Sequence, residues 1–167
     1  EPWEEYGVED AHITRIDDTF YITYVAVSRH GIATALATTK DFVHFEKHGI
    51  IFAPPNKDVV IFPEPVGGRF VAFHRPFPVY FGKMSMWLAY SPDLVHWDEH
   101  MFLMAPRKGK WDSERIGAGI VPIKTEEGWL EIYHGAGPER GYCLGAVLLD
   151  LERPERVIAR SEEPILA

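Results

Sequence analysis

The sequence predicts an all-β fold built from repeated short sheets. The segment TKDFVHFEKH at 39–48 matches SPDLVHWDEH at 91–100, at an offset of 52 residues. Three strand-like cores also recur and end at positions 24, 73 and 133, which are 49 and 60 residues apart. No long amphipathic helical pattern interrupts them. A repeat of about 50 residues, made of short strands and Gly, Pro and Asp turns, is typical of a β-propeller in which each repeat forms one sheet, or blade.

The recurring cores each place a turn signal before an alternating, aromatic-rich strand. They read DDTFYITY at 17–24, VGGRFVAF at 66–73 and EEGWLEIY at 126–133. A turn followed by period-two alternation is the pattern of a half-buried strand in a hairpin. We therefore predict about three blades, with one core in each.

A second strand pair repeats within the blades. An inner strand is followed by a turn with an acidic residue and then by an outer strand that starts near an aromatic residue. Turn carboxylates and aromatic residues at repeated positions are usually structural, so we expect them to close turns and to pack between blades. The members are Gly31 to Thr38 and Met84 to Ser91 for the strands, Asp41 and Asp93 for the turns, and Phe45 and Trp97 for the aromatics.

Composition limits the function classes. The 167 residues form one predicted domain, 1–167, and a hydrophobic content of 46% is enough for a buried core. The formal net charge of −8 argues against general binding to nucleic acid or to an anionic membrane, since both need a broad basic surface. An anion would therefore have to bind at a local cluster of cations.

Cysteine usage and hydropathy bear on the compartment. Cys143 is the only cysteine, so no intrachain disulfide is possible, and a cytoplasmic setting is expected. No apolar run approaches the roughly 18 residues that span a bilayer, and no signal-peptide pattern is present. The sequence therefore predicts no membrane partner.

The residues that break the repeat are the candidates for chemistry, because the blades of a propeller normally supply its axial site unequally. One acidic pair precedes the first core, and charged or histidine groups follow the strands or lie in loops. The groups are Glu9 and Asp10; Ser28, Arg29, His30 and Gly31; Asn56, Lys57 and Asp58 in a Pro-rich loop; His74, Arg75 and Pro76; and Trp111, Asp112 and Ser113.

Each of these residues also has a structural interpretation. Asp10 could cap a turn, Arg29 and Arg75 could form surface ion pairs, Lys57 could be a solvated loop lysine, and His74 could be a satisfied interior histidine. Together they are more informative. Cations at strand ends and loops of an acidic chain are the parts of a small anion pocket beside a carboxylate.

Several motifs in order carry a family resemblance. The chain resembles glycoside hydrolase family 130, the β-mannoside phosphorylases, along essentially its whole length. This resemblance implies a five-bladed β-propeller that performs inverting phosphorolysis of β-mannosyl linkages and releases α-mannose 1-phosphate. The motifs are GVEDAHIT, VAVSRHGIATALATTKDFVHFEKHGIIF, PPNKDVV, FHRP, SMWLAYSPDLVHW, WDSERIGAG and GWLEIYHG.

The resemblance also implies a role for each site residue. Asp10 matches the catalytic acid, which acts through a hydroxyl of the mannosyl unit. Inorganic phosphate is the nucleophile and co-substrate, so no metal or organic cofactor is expected. The implied phosphate-binding residues are Arg29, Lys57, His74 and Arg75, and the implied substrate-binding residues are Glu9, His30, Asp112, Tyr133 and His134.

The expected substrates are mannooligosaccharides or β-1,4-mannosyl-N-acetylglucosamine, with phosphate. Two alternatives stay open: a non-catalytic carbohydrate-binding or assembly module, and a β-mannoside hydrolase that uses a second carboxylate to activate water. Retention of Arg29, Lys57 and His74 favours phosphate as acceptor.

Chain length adds a further expectation. Relatives have about twice as many residues in five blades, and a closed propeller takes at least about four blades. Either further blades lie outside this sequence or two copies complete one another as a homo-oligomer, and we expect the former. Three blades in an open arc would expose edge strands and apolar faces.

Overall fold

The computed structural model describes residues 1–139 and 141–167 as three antiparallel sheets, which confirms the all-β prediction. A short 3-10 helix, Pro2–Glu4, precedes the first strand. The first sheet contains β1 (Gly7–Ile16), β2 (Thr19–Ser28), β3 (Gly31–Thr39) and β4 (Phe45–Phe52); the second contains β5 (Asn56–Ile61), β6 (Phe70–Pro76), β7 (Met86–Ser91) and β8 (Asp98–Met104); the third contains β9 (Arg115–Ala118), β10 (Ile123–Lys124), β11 (Trp129–Gly137), β12 (Gly141–Leu149) and β13 (Val157–Arg160).

Strand order repeats from sheet to sheet. The first two sheets run β1-β2-β3-β4 and β5-β6-β7-β8, each as an up-and-down meander. In the third sheet β9 and β10 both pair with β11, so these two short segments together take the place of a single first strand. The three recurring cores of the sequence are the second strands β2, β6 and β11.

The repeated acidic turns close as the sequence predicts. The carboxylate Oδ1 of Asp41 accepts hydrogen bonds from the backbone N–H groups of Val43 and His44, at 2.9 and 2.8 Å. Asp93 accepts the matching pair in the second sheet, at 3.0 and 2.8 Å. The hydrogen bond from the His44 backbone is the main cause that lowers the pKa of Asp41 to about 2. These carboxylates are therefore committed to the turns.

Two predicted boundaries were wrong. Glu9 and Asp10 lie inside β1 rather than before the first strand, and Asn56 to Asp58 form the start of β5 rather than a loop. The physical reason is a β-bulge in each strand, since the pairing register shifts between Glu9 and His12 and again after Lys57. A bulge breaks the alternation by which strands are recognised in a sequence.

Neighbouring sheets pack face to face. One apolar cluster joins the second and third sheets around Phe62, Phe73 and Trp129, and another joins the first and second around Leu36 and Ile61. Hydrogen bonds reinforce the boundary between the first two sheets. The hydroxyl of Thr14 donates to the carbonyl of Ile61 at 2.8 Å, so the first strands of these sheets are held side by side.

Two structural facts bear on the predictions about disulfides and membrane spans. Cys143 is a buried free thiol. In the described parts of the chain, no helix has the length and apolar character needed to cross a membrane.

Glu131 is a fully buried carboxyl group on β11. Its Oε1 accepts hydrogen bonds from the backbone N–H groups of Gly119, at 2.9 Å, and Ile120, at 3.4 Å. Burial raises the pKa of Glu131 to about 8, because the two hydrogen bonds offset only part of the desolvation. A neutral carboxyl group therefore holds the segment between β9 and β10 in place at neutral pH.

This burial predicts a pH-dependent stability. In the unfolded chain Glu131 ionises near its usual pKa of 4.5, whereas in the folded chain it stays protonated until about pH 8. The contribution of Glu131 to the free energy of unfolding should therefore be largest below pH 4.5. It should fall as the pH rises towards 8. Glu131→Gln should flatten this decline in urea denaturation, whereas the exposed control Glu126→Gln should not. An unchanged slope in Glu131→Gln would contradict the assignment.

Candidate functional site

A pocket of about 470 Å³ opens at the end of the sheets where their first strands begin. All three sheets contribute to it. Its lining consists of Asp10, Ala11 and His12 from β1, Lys57 and Asp58 from β5, Arg75 from β6, Ala118 and Gly119 at the end of β9, His134 from β11, and Tyr142 and Leu144 from β12.

A larger groove, of about 630 Å³, lies at the opposite end of the first sheet and is the weaker candidate. It runs between the turns of Asp41 and Asp93. The carboxylates of both residues already accept the backbone hydrogen bonds that close these turns. The smaller pocket instead gathers charged side chains that point at one another.

Asp10 meets Lys57 across the first two sheets. The ammonium Nζ of Lys57 lies 2.6 Å from the carboxylate Oδ2 of Asp10, and the Asp10 side chain remains 48% exposed. Asp10 has a φ of +51°, a left-handed conformation that Asp tolerates better than most residues. The bulge in β1 therefore turns this carboxylate towards the pocket and leaves it accessible.

A second carboxylate, Asp58, lies deeper and contacts both Arg75 and His134. Its Oδ2 is 2.6 Å from Nη1 of Arg75 and 3.2 Å from Nε2 of His134. Asp58 and Arg75 each expose only 5% of their side chains. Burial opposes ionisation of Asp58, but the hydrogen bond with His134 and the charge of Arg75 together lower its pKa. Asp58 is therefore an anion at neutral pH.

The close approach of Asp58 requires a glycine on the facing strand. A Cβ atom added to Gly117 of β9 would overlap the Asp58 carboxylate and would lie 2.6 Å from Cε1 of His134. Only a residue without a side chain fits this position, so the backbone of the third sheet comes directly against the charged pair.

Aromatic faces lie against two arginines, Arg75 in the pocket lining and Arg115 beside it. The guanidinium of Arg75 lies 5.6 Å from the ring centre of Phe77, and that of Arg115 lies 5.2 Å from the ring centre of Tyr142. The rings of Tyr142 and His134 are 5.8 Å apart. These contacts restrict the side chains and supply cation–π stabilisation.

His12 completes the rim as a half-buried neutral imidazole. Burial lowers the pKa of His12, and the nearby carboxylates of Asp58 and Asp10 only partly offset this effect. His12 therefore adds hydrogen-bonding capacity at neutral pH, while the positive charge in the lining comes from Lys57 and Arg75.

Two predicted phosphate-binding residues lie outside the pocket lining. Arg29, in the β2–β3 hairpin, is exposed and binds the carboxylate of Glu5, with its Nε 2.7 Å from Oε2. His74 is buried, with Nδ1 3.0 Å from the side-chain nitrogen of Asn56 and Nε2 3.2 Å from Nδ1 of His100. Burial lowers the pKa of His74 to about 3, so it carries no positive charge at neutral pH.

Asp112 and Tyr133, two predicted substrate-binding residues, are also not in the pocket lining. Asp112 is fully buried, and its carboxylate accepts hydrogen bonds from Arg107, Arg160 and the hydroxyl of Tyr133, which lies 2.8 Å away. These three donors occupy both carboxylate oxygens. The network ties β13 and the segment before β9 to the centre of β11.

The remaining predicted site residues lie in three places: on strand β1, in the β2–β3 hairpin and in the pocket. Glu9 is exposed on β1, opposite Val25. His30 lies in the β2–β3 hairpin, where its backbone N–H donates to the hydroxyl of Ser28. Of the predicted residues, the pocket brings together Asp10, Lys57, Arg75 and His134.

Sequence reasoning named Asp58 among the candidates but assigned it no specific role. It assigned none to His12 and Tyr142 of the pocket, or to Gly117 behind them. One signal was available. Asp10 and Asp58 are 48 residues apart, close to the repeat length, and each lies near the start of its sheet. Both adopt a positive φ, +51° and +54°, at a bulge in the first strand of a sheet. The two acids therefore occupy related places in successive repeats.

No group of three or more His, Cys, Asp and Glu residues is arranged to hold a metal ion within 1–139 and 141–167. The charged groups of the pocket are instead two carboxylates, Asp10 and Asp58, with the cations Lys57 and Arg75. Cations beside an accessible carboxylic acid suit an anionic ligand.

Comparison with known proteins identifies one family for the chain. The family model for glycoside hydrolase family 130, described as beta-1,4-mannooligosaccharide phosphorylase, matches residues 1–167. The chain is 51% identical over 168 residues to a beta-1,2-mannobiose phosphorylase of Listeria innocua, and 42% identical over 163 residues to a 1,2-beta-oligomannan phosphorylase of Thermoanaerobacter sp. strain X514. The matches include 99% and 96% of this chain.

A solved structure agrees with these matches. The Listeria innocua beta-1,2-mannobiose phosphorylase, in complex with beta-1,2-mannobiose, superimposes with a TM-score of 0.97 at 50% identity over 99% of this chain. The chain spans about half the length of the curated relatives it matches, 47% and 53% for the two above.

The burial of the Asp58–Arg75 pair predicts that substitutions of Arg75 and Arg29 differ in their effect on stability. Arg75→Ala leaves the Asp58 carboxylate buried with less compensation, so we expect a loss of about 3–5 kcal/mol in the free energy of unfolding. Arg29→Ala removes an exposed pair with Glu5 and should leave stability nearly unchanged. Urea denaturation of both variants at pH 7 measures the difference. Equal stability of the two variants would contradict the role given to the Asp58–Arg75 pair.

Proposed function

The chain belongs to glycoside hydrolase family 130, and from this premise we propose that it supplies part of the active site of a β-mannoside phosphorylase. The observation that carries the proposal is the pocket in which the accessible Asp10 carboxylate lies beside Lys57, with Arg75 and His134 behind it. A carboxylic acid and a set of cations are the two components that phosphorolysis of a glycosidic bond requires.

In the proposed reaction an oxygen of inorganic phosphate attacks the anomeric carbon of the terminal mannosyl unit. The bond between that carbon and the glycosidic oxygen breaks, and its electron pair stays on the oxygen of the leaving sugar. Asp10 supplies the proton that this oxygen needs, relayed through a mannosyl hydroxyl. The products are α-mannose 1-phosphate and the shortened sugar, and phosphate replaces the activated water of a hydrolase.

Lys57 would serve both the acid and the nucleophile. Its ammonium lies 2.6 Å from Asp10, and a phosphate dianion entering the pocket would compete for the same charge. Arg75 offers a planar fork of donors suited to phosphate oxygens, and Lys57 offers a compact point charge. We place phosphate between these two side chains and His134.

The second carboxylate favours phosphorolysis over hydrolysis. Asp58 is the only carboxylate besides Asp10 in the described lining of the pocket, so among the described residues it is the candidate for a base that activates water. The side chain of Asp58 is 5% exposed, and its Oδ2 atom already contacts Arg75 and His134. A buried, ion-paired carboxylate is a poor base for an incoming water molecule.

For the linkage, the relatives point to β-1,2-mannosides. The two most similar proteins described above are named for 1,2-linked substrates, whereas the family model is named for 1,4-linked ones. We propose β-1,2-mannobiose as the preferred substrate and retain β-1,4-mannooligosaccharides and β-1,4-mannosyl-N-acetylglucosamine as the competitors to be assayed.

We also propose that the three sheets are blades of a five-bladed propeller in the whole protein. Large apolar side chains on the first and third sheets are exposed, among them Val8, Ile13 and Leu166, as expected for faces that pack against further blades. The residues that only the family resemblance assigns to this site stay predictions: Arg29, His74, Glu9, His30, Asp112 and Tyr133.

The proposal predicts phosphate-dependent turnover by the natural protein that carries this sequence. With β-1,2-mannobiose, mannose 1-phosphate should form only when phosphate is present. Asp10→Asn should lower kcat at least about 100-fold because the proton donor is lost. Lys57→Met should mainly raise the KM for phosphate.

Asp17→Asn is the matched control for Asp10→Asn. Asp17 is also an aspartate with a positive φ, +54°, but it lies in the β1–β2 turn at the far end of the strand, so its substitution should leave turnover unchanged. Free mannose released without phosphate would indicate a hydrolase, and sugar binding without turnover would indicate a binding module. Either result would refute phosphorolysis.

A further inference from the structure

Asp58 is the charged pocket residue for which the proposed reaction provides no role. We propose that Asp58 is a positioning residue whose buried carboxylate holds the Arg75 guanidinium and the His134 imidazole in the orientation that binds phosphate. This inference rests on the proposed function and deepens it, because it assigns the geometry of the phosphate site to a group that does not itself touch the anion.

The contacts of Asp58 join two different sheets. Arg75 lies near the end of β6 in the second sheet, and His134 lies on β11 in the third, yet both reach the same carboxylate oxygen, at 2.6 and 3.2 Å. The Nη1 atom of Arg75 is also 3.2 Å from Nε2 of His134. Because these groups are shielded from water, their mutual orientation is fixed more firmly than that of an exposed pair.

Two features of the backbone make room for the Asp58 carboxylate. Asp58 has a φ of +54° at the point where the pairing of β5 and β6 shifts register, and this bulge directs its side chain inwards beside Arg75. On the opposite side, Gly117 has no side chain, and any Cβ there would overlap Asp58. A bulge from one sheet and a glycine from the next therefore converge on the same carboxylate.

The charges around Asp58 make the inference testable. Arg75, His134 and Lys57 face it from the second and third sheets, and His12 and Asp10 face it from β1. If Asp58 affected phosphate only through its charge, its removal would make the pocket more positive and strengthen binding. If Asp58 positions Arg75 and His134, its removal should weaken binding in spite of the gain in positive charge.

The decisive variant is Asp58→Asn, because Asn has nearly the same size and also tolerates a positive φ. In the natural protein we expect the KM for phosphate to rise at least about tenfold, while the KM for β-1,2-mannobiose changes less than about twofold. Calorimetric titration with inorganic phosphate should show the same loss of affinity. The control Asp17→Asn, an exposed aspartate with the same φ of +54°, should change neither value.

Gly117→Ala provides a second variant that keeps every charge. Its backbone is outside the left-handed region, so the added methyl group conflicts only with what lies against it, chiefly Asp58 and His134. We expect it to weaken phosphate binding more than mannobiose binding. If Asp58→Asn does not fold, this variant decides the matter, and unchanged phosphate affinity in Gly117→Ala then overturns the inference.

The outcomes distinguish a failure of the positioning role of Asp58 from a failure of the proposed function. Phosphate affinity that is unchanged or higher in a folded Asp58→Asn variant overturns the positioning role and leaves phosphorolysis standing. Equal losses for phosphate and mannobiose also overturn it, since they indicate a general structural defect. Absence of phosphate binding in the wild-type protein refutes the proposed function, and the positioning role with it.

Discussion

The ion pair between Asp58 and Arg75 is the contact on which the pocket depends. Removing two charges from water is costly, and such a pair is tolerated only where its partners are well placed and further hydrogen bonds are available. Here the bulge in β5 aims the carboxylate, the glycine of β9 admits it, and His134 supplies a further partner. The pair itself lies within the second sheet, and the contact of Asp58 with His134 connects it to the third sheet.

The remainder of the site follows from the way the sheets repeat. The first strands of the three sheets meet at one end of the molecule, so side chains near the starts of β1 and β5 converge there with the end of β9. The backbone is similar in each repeat, but the side chains differ: Asp10 is exposed and reaches Lys57, whereas Asp58 is buried against Arg75. The repeated sheets therefore provide a common backbone framework, and the side chains that differ between repeats provide the charged groups of the pocket.

Much of the fold could be predicted from the sequence because its signals are local. The recurring cores became second strands, and Asp41 and Asp93 close turns through adjacent backbone groups. The site was harder to predict. Arg29 pairs with Glu5 and His74 is buried beside His100, so contacts between residues distant in sequence determine where these two side chains lie. Bulges also concealed that Asp10 and Lys57 belong to strands.

The most direct test of the account is a crystal structure of the natural protein with inorganic phosphate. The account predicts an anion within hydrogen-bonding distance of Lys57 Nζ and the Arg75 guanidinium, with the Asp58–Arg75 pair intact and Asp10 facing the space beside the anion. Phosphate bound away from Lys57 and Arg75, or a pocket in which Arg75 has turned away from Asp58 to reach the anion, would contradict it.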